Sequence, residues 1–264
     1  MKPNKDIILV DGKKVSLPDS QSAYWVALNK PKATLTTMED EKGRETILNL
    51  IPKARDLRLV PIGRMERDST GLILLTNEVG WIHPLTHPSF QHIRKYEVVV
   101  SGIPNEDNLK VLREGVLLSG ETTRCRPAKI NVADTDSRAG LALVDVQIEE
   151  SLPLQVQRMM EFIGHTVISI KRTEFGPVKL KGLRKGDWRE LTKLEVAALK
   201  QSCTKVPAPE DSKRPSTLPA GKRASVVRKS KRPGAGYLAR QAFLAKQPED
   251  ESNSQRNQNN RYTR

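Results

Sequence analysis

Aromatic residues are scarce in this chain. Phe, Trp and Tyr make up 4% of 264 residues, and hydrophobic residues of all kinds reach only 37%. That poverty predicts that part of the chain does not fold. No run approaches about 20 consecutive apolar residues, the length that a membrane-spanning helix needs, so a membrane partner is not expected. Cysteine is nearly absent. Cys125 and Cys203 are the only two, too few for a disulfide framework or a zinc site by themselves. A reducing compartment is the default. The N-terminal MKPNKDIILV has neither the apolar core of a signal peptide nor an Arg/Ser-rich transit pattern. No Gly-rich phosphate loop of the Walker or dinucleotide type occurs. The four histidines, His83, His87, His92 and His165, lack a firm metal-ligand spacing. Pro84 and Pro88 directly follow the first two, which argues against a shared helical face. No metal site is expected.

Positive charge is abundant. Lys and Arg number 45 against 31 Asp and Glu, a formal charge of +14. Such an excess points to a polyanion, most often nucleic acid. The excess is uneven. Residues 201–264 carry 14 basic and 5 acidic side chains, a net of +9, which leaves +5 on residues 1–200. The last segment is rich in Pro, Ser, Lys, Arg, Asn and Gln. It lacks the apolar content needed to offset the entropy of ordering, so a disordered basic tail is expected from about residue 205. Within it, Gly236 to Lys246 is a candidate amphipathic helix for a partner.

The rest reads as a mixture of strands and helices. Residues 7–15 suggest two strands about a turn at Asp11-Gly12. Pro18 to Ser22 reads as a linker. Strands are expected over 24–28, 57–62, 72–76, 95–100, 128–132, 141–148 and 167–172. Helices are expected over 44–51, 105–114, 155–163 and 193–200, the third ending at Gly164. Several strands are separated by long stretches of sequence. This argues for an α+β fold with a mixed, largely antiparallel central sheet flanked by helices, not a doubly wound parallel sheet.

One segment is chemically dense: Gly63-Arg64-Met65-Glu66-Arg67-Asp68-Ser69-Thr70-Gly71-Leu72. It delivers a guanidinium, two carboxylates and two hydroxyls into a turn ahead of the apolar LILLT run. Charged groups beside a glycine at a strand end form either a site on a rigid scaffold or a capped turn. The pattern alone leaves both open.

The same segment resembles the signature of the RsuA-like pseudouridine synthases, roughly G-R-L-D-x-x-[ST]-x-G-L followed by an apolar run and Thr. Further motifs follow the family's order. They are Leu28-Asn29-Lys30-Pro31, Lys95-Tyr96-Glu97-Val98, Gln155-Val156-Gln157-Arg158-Met159 with Gly164-His165, Gly176-Pro177, and Trp188-Arg189-Glu190-Leu191. The resemblance spans about residues 7–198. It implies a catalytic domain over 21–200, preceded over 1–20 by a remnant of an S4-like RNA-binding domain and a linker, and followed by the basic tail over 201–264.

The resemblance also implies chemistry. The family isomerises uridine in ribosomal RNA without cofactor or metal. An Asp carboxylate acts on the ribose of a flipped-out uridine, and the base detaches, turns and rejoins through carbon. A Tyr packs on the base and assists proton removal. A Lys or Arg keeps the carboxylate charged. Carried onto this chain, the catalytic positions are Glu66, Tyr96 and Gln157, and the RNA-binding ones are Lys30, Arg64, Arg158 and Arg172. Three positions depart from the pattern. Glu66 stands where the family has Asp, Gln157 stands where it has a cation, and Leu152 stands where it has an RNA-facing Arg. A displacement of about 1 Å can cost ~100-fold in rate. Two readings follow. One is a synthase with a retuned or impaired carboxylate. The other, toward which the joint departures weigh, is a non-catalytic ribosome-assembly or ribosome-associated factor that keeps the fold and an RNA surface. Both take ribosomal RNA or pre-ribosomal particles as partner. A monomer is expected, in a bacterial cytoplasm or a ribosome-containing organelle.

Overall fold

The computed structural model describes residues 8–10, 13–15 and 22–204. Linker residues 18–21, the basic tail from residue 205 and the candidate helix within it lie outside the described residues. A short antiparallel ribbon, β1 (Ile8–Val10) with β2 (Lys13–Val15), matches the strand pair expected there.

Among the described residues, nine strands form one mixed sheet. They are β3 (Trp25–Lys30), β4 (Val60–Pro61), β5 (Thr70–Thr76), β6 (Arg94–Ser101), β7 (Lys129–Asp136), β8 (Leu141–Ile148), β9 (Val167–Phe175), β10 (Val178–Lys179) and β11 (Trp188–Glu190). Their order is β11-β3-β5-β9-β6-β8-β7, with β4 beside β5 and β10 beside β9. Every pairing is antiparallel except β5 with β9. The helices are α1 (Ile82–Thr86), α2 (Glu106–Glu114), α3 (Gln155–Phe162) and α4 (Lys193–Ser202). The α+β architecture is the one expected from the sequence.

The sheet is two half-sheets joined by one narrow seam. In the first half, β3 and β5 are apolar runs buried on both faces. Val26, Leu28, Ile73 and Leu75 pack against the 47–59 segment. Trp25, Ala27, Leu72 and Leu74 pack toward Leu199 of α4. In the second half, Val98, Val100, Val144 and Val146 pack under α2 and α3. The seam is the parallel contact, only Thr70 opposite Lys171 and Gly71 opposite Arg172. Glycine is required there. At Gly71 φ is +103°, and a Cβ would stand 2.2 Å from the carbonyl oxygen of Arg172.

Helix ends follow local rules. Asn105 caps α2 by accepting the Asn108 N–H at 2.8 Å, and Glu106 and Asp107 complement the positive end of the helix. Thr192 and Glu195 form a reciprocal capping box on α4. That helix runs to Ser202, past the expected end at 200, and Cys203 behind it is buried. The described residues continue to Thr204.

Three expectations need correction. Residues 44–51 are not a helix. Thr46 bridges Leu35 as in a parallel ladder, and Asn49 and Ile51 then donate to Thr46 and Leu48 in successive turns. Ile47, Leu48 and Ile51 are buried all the same, so the apolar spacing reports burial and not helicity. The strand over 57–62 shrinks to Val60–Pro61 because Arg58 adopts φ 52°. His83 and His87 do come together, with ring centroids 4.9 Å apart. Pro84 falls in the first turn of α1, where a missing N–H breaks no helical bond. No group of three or more His, Cys, Asp or Glu that could hold a metal occurs among the described residues.

Candidate active site

A cleft of about 750 Å³ opens where the two half-sheets meet. Its first wall is built from the ends of β3 and β5. Lys30 closes β3 and is wholly buried. Its Nζ donates to the carbonyl oxygens of Pro31, Arg67 and Ser69 at 3.1, 3.1 and 2.7 Å. Burial pushes this ammonium down to about 8, against the pull of Asp68 and Glu66. Lys30 therefore clamps the turn over 66–69 and does not face RNA, a correction to its expected role. A buried ammonium needs acceptors, and three backbone carbonyls of one turn supply them.

Within that turn, Ser69 Oγ donates to Glu66 Oε2 at 2.9 Å, and the Ser69 N–H donates to the Glu66 carbonyl at 3.2 Å. Thr36 steadies the preceding residue from both sides. Its Oγ1 donates to the Met65 carbonyl at 3.0 Å and accepts the Met65 N–H at 3.3 Å. Glu66 is exposed on the cleft wall, its backbone held and one carboxylate oxygen satisfied. Arg64 is exposed beside it and has no ion-pair partner among the described residues. The rim is completed by Arg44, whose Nη2 lies 2.6 Å from Asp40 Oδ1. Hydrogen bonds from Arg44 hold the Asp40 carboxyl down to about 2.

The second wall comes from β6, β9 and the start of α3. Tyr96, half-buried, stands directly across from Arg172, beside an irregularity in the β6–β9 ladder. Arg172 is only 3% exposed. Its Nε donates to the Leu72 carbonyl at 2.7 Å, which ties β9 to β5, and its guanidinium lies over the Phe175 ring. Arg172 lines the cleft from within the sheet and is almost wholly buried. Gln157 projects from α3, and its Nε2 donates to Glu161 at 3.2 Å. Leu152, Pro153 and Leu154 give this wall an apolar edge, with Leu154 in the left-handed region at φ 53°.

Arg158 lies outside the cleft lining and is engaged within the chain. It pairs with Glu121 at 2.9 Å, donates to Pro153 O at 3.2 Å and bonds the Ser119 carbonyl. The side chain thus ties the 119–121 loop to the base of α3.

Of the seven residues expected from the sequence, the cleft gathers five: Arg64, Glu66, Tyr96, Gln157 and Arg172. Lys30 and Arg158 support it from behind. Sequence reasoning missed Thr36, Asp40, Arg44 and Gln155. Gln155 is buried, bonds Glu150 at 2.8 Å and accepts the Leu152 N–H at 3.2 Å, so it holds the apolar edge in place. Asp40 and Arg44 carried the one usable signal, opposite charges four residues apart.

The chemistry on offer is a held carboxylate, a phenol, a free surface guanidinium and a buried one around a half-apolar cavity. That set suits a flat polar ring attached to an anionic backbone. Residues 24–162 match the family model of RNA pseudouridylate synthases. The chain is 36% identical over 195 residues to the ribosomal large subunit pseudouridine synthase B of Bacillus subtilis (strain 168), covering 74% of this chain and 78% of that protein. It is 29% identical over 195 residues to the dual-specificity RNA pseudouridine synthase RluF of Escherichia coli (strain K12), covering 74% and 63% respectively. A crystal structure of a pseudouridylate synthase superposes with a TM-score of 0.62 at 30% identity, over 68% of this chain and 74% of the other. With the motif order, the seamed sheet and these likenesses in agreement, the chain belongs to the RNA pseudouridylate synthase family, in its RsuA-like branch.

Proposed function

We propose that the protein converts a uridine of ribosomal RNA to pseudouridine, with Glu66 as the acting carboxylate. The observation that carries this reading is that Glu66 and Tyr96, contributed by opposite half-sheets, line one cleft. The Bacillus subtilis relative, named for the large ribosomal subunit, supports RNA of the ribosome as the partner.

In the proposed reaction, the uridine is flipped out of its stack so that its C1′ meets Glu66. Ser69 orients one carboxylate oxygen and leaves the other to act. Tyr96 packs on the base and assists removal of the C5 proton. Arg64, exposed and unpaired among the described residues, holds a backbone phosphate at the rim. No cofactor or metal enters the scheme. The extra methylene of Glu over Asp is compensated by the Ser69 bond, which draws the longer side chain back over its own turn.

A second reading is kept because Gln157 supplies an amide where a cation would pair with Glu66, and that amide is engaged with Glu161. In that reading the protein binds ribosomal RNA without turnover. The test is to incubate purified full chain with transcribed ribosomal RNA and map pseudouridine. A modified site that disappears in Glu66→Gln supports the synthase. No site with the native chain, but one with Glu66→Asp combined with Gln157→Arg, establishes the binder.

A further inference from the structure

Two neighbouring residues at the end of β3 each hold a separate piece of chain. Lys30 clamps the turn that carries Glu66. Asn29, one residue earlier, holds the loop over 181–187. Its N–H donates to the Asp187 carbonyl at 2.9 Å, and its carbonyl accepts the Gly186 N–H at 2.8 Å. Its side chain is buried, and Nδ2 donates to the Leu183 carbonyl at 2.9 Å. Within the loop, the Asp187 N–H donates to the Arg184 carbonyl at 3.0 Å. A side-chain amide is thus spent on a carbonyl 154 positions away in the chain. The result is a loop whose backbone is fixed relative to the Glu66 turn.

Both pieces present cations to solvent. Lys32, Arg67, Lys181, Arg184 and Lys185 are exposed, and none forms an ion pair among the described residues. Elsewhere on the body, Lys95, Lys171, Arg189 and Lys200 each meet a carboxylate. Carboxylates are present at this end too, in Glu66, Asp68 and Asp187, yet none of these cations is drawn into a pair with them. Trp188 opens the edge strand β11 directly after the loop and is 38% exposed. None of these cations, nor Trp188, lines the cleft. Unpaired cations on a fixed backbone beside an exposed indole suit a single nucleic acid strand. Its phosphates meet the cations, and a base has a ring on which to stack.

We propose that this end of the first half-sheet is a second RNA surface, which holds the strand flanking the nucleotide delivered to Glu66. Lys181, Arg184 and Lys185 on the loop, with Lys32 and Arg67 beside the turn, take successive phosphates, and Trp188 stacks on a base. The proposal rests on ribosomal RNA as partner, the reading given above, and concerns binding alone. Because β3 anchors both the loop and the turn, a strand held by the loop is held in register with the carboxylate. A fixed array also loses less freedom on binding than a flexible one.

The test is fluorescence polarisation of a labelled oligouridylate with the full chain, over a series of KCl concentrations. The C-terminal segment is kept in every variant, so its contribution cancels in the differences. Each phosphate contact on a single strand adds about 0.7 to the slope of log affinity against log salt. The triple variant Lys181→Gln, Arg184→Gln, Lys185→Gln should therefore lower the slope by about 2. Its affinity should fall by about 100-fold near ~0.1 M salt, with the gap closing toward ~1 M. Should it fail to fold, Lys32→Gln with Arg67→Gln is read instead, with an expected fall in slope of about 1.4. A control removes the same charge from the second half-sheet and its helix, by Lys110→Gln, Lys129→Gln and Arg138→Gln, and should leave the slope near the native one. Trp188→Leu should weaken oligouridylate about fivefold or more at an unchanged slope, and should not weaken polyphosphate, which has no ring to stack. An unchanged slope in the loop variant, or an equal fall in the control, overturns the proposal. So does equal weakening of polyphosphate and oligouridylate by Trp188→Leu, or no weakening of either. The two readings fail separately. The expected slopes without turnover on ribosomal RNA overturn the synthase and leave the surface. Turnover with an unchanged slope in the loop variant overturns the surface alone.

Discussion

Gly71→Ala tests whether the seam between the half-sheets is as tight as described. The added Cβ meets the Arg172 carbonyl oxygen at 2.2 Å, its nitrogen at 2.6 Å and its carbonyl carbon at 2.9 Å. All three are backbone atoms, so no side chain can swing aside. Ordinary contact needs about 3.5 Å, so the strands must part by more than about 1 Å. They touch in parallel only at Thr70–Lys171 and Gly71–Arg172, and the Nε bond from Arg172 to Leu72 crosses the same place. Alanine at φ +103° adds backbone strain of about 1–2 kcal/mol. Overpacking of this kind costs about 1–3 kcal/mol. Together the change should remove about 2–5 kcal/mol, a large fraction of the roughly 5–15 kcal/mol that stabilises an average domain. The assay is equilibrium urea unfolding with circular dichroism, with a fall in Tm on the order of 10 °C as a second readout. A variant within about 0.5 kcal/mol of the native protein would refute the reasoning, because only a seam already open could absorb a methyl group there.

Two further predictions concern pH. Glu195 is held down to about 2 by Arg189 and by the capping bonds of Thr192. A lowered carboxylate stabilises the fold above its unfolded value of 4.5, and that gain is lost as the pH falls toward 2. Glu195→Gln should therefore cost about 1 kcal/mol at pH 7, given the partial exposure of the pair, and the difference in thermal unfolding should vanish near pH 2. A difference that stays constant across that range counts against the ion pair. His92 is buried against Pro84 and Cys203, and burial lowers its affinity for a proton below the usual 6.5. The unfolded chain then binds a proton that the folded one refuses, so stability falls as the pH drops below 6.5. In His92→Gln, which can still donate to Pro84, the decline in Tm between pH 7 and pH 5 should be shallower. An unchanged slope would assign the decline to other groups.

Much of the scaffold was legible because its signals are local. Apolar runs bounded by glycine and polar residues mark β5 and β8. Asn105 ahead of two acids marks α2, and Thr192 with Glu195 marks α4. The 44–51 segment was misread because its apolar spacing satisfies burial against the sheet without a helix. The strands β10 and β11 are too short to carry a pattern.

The site divides along the same line. The sequence by itself determined the family resemblance, the order of the motifs and which residue types stand at 66, 96 and 157. It could not determine what those side chains touch. Lys30 looks like a surface cation and is a buried clamp, because the carbonyls that receive it come from a turn nearly forty residues away. Arg158 looks free and is tied to Glu121 and Ser119. Arg172 resembles other basic residues of its strand. It becomes the unmatched donor of the cleft floor only because β9 passes Gly71 on one side and Tyr96 on the other. These are contacts between strands far apart in sequence, where no local period reports the partner. Which cation is spent on the fold and which is left unmatched was decided by tertiary pairing, because a buried charge is defined by its neighbours and not by its place in the chain.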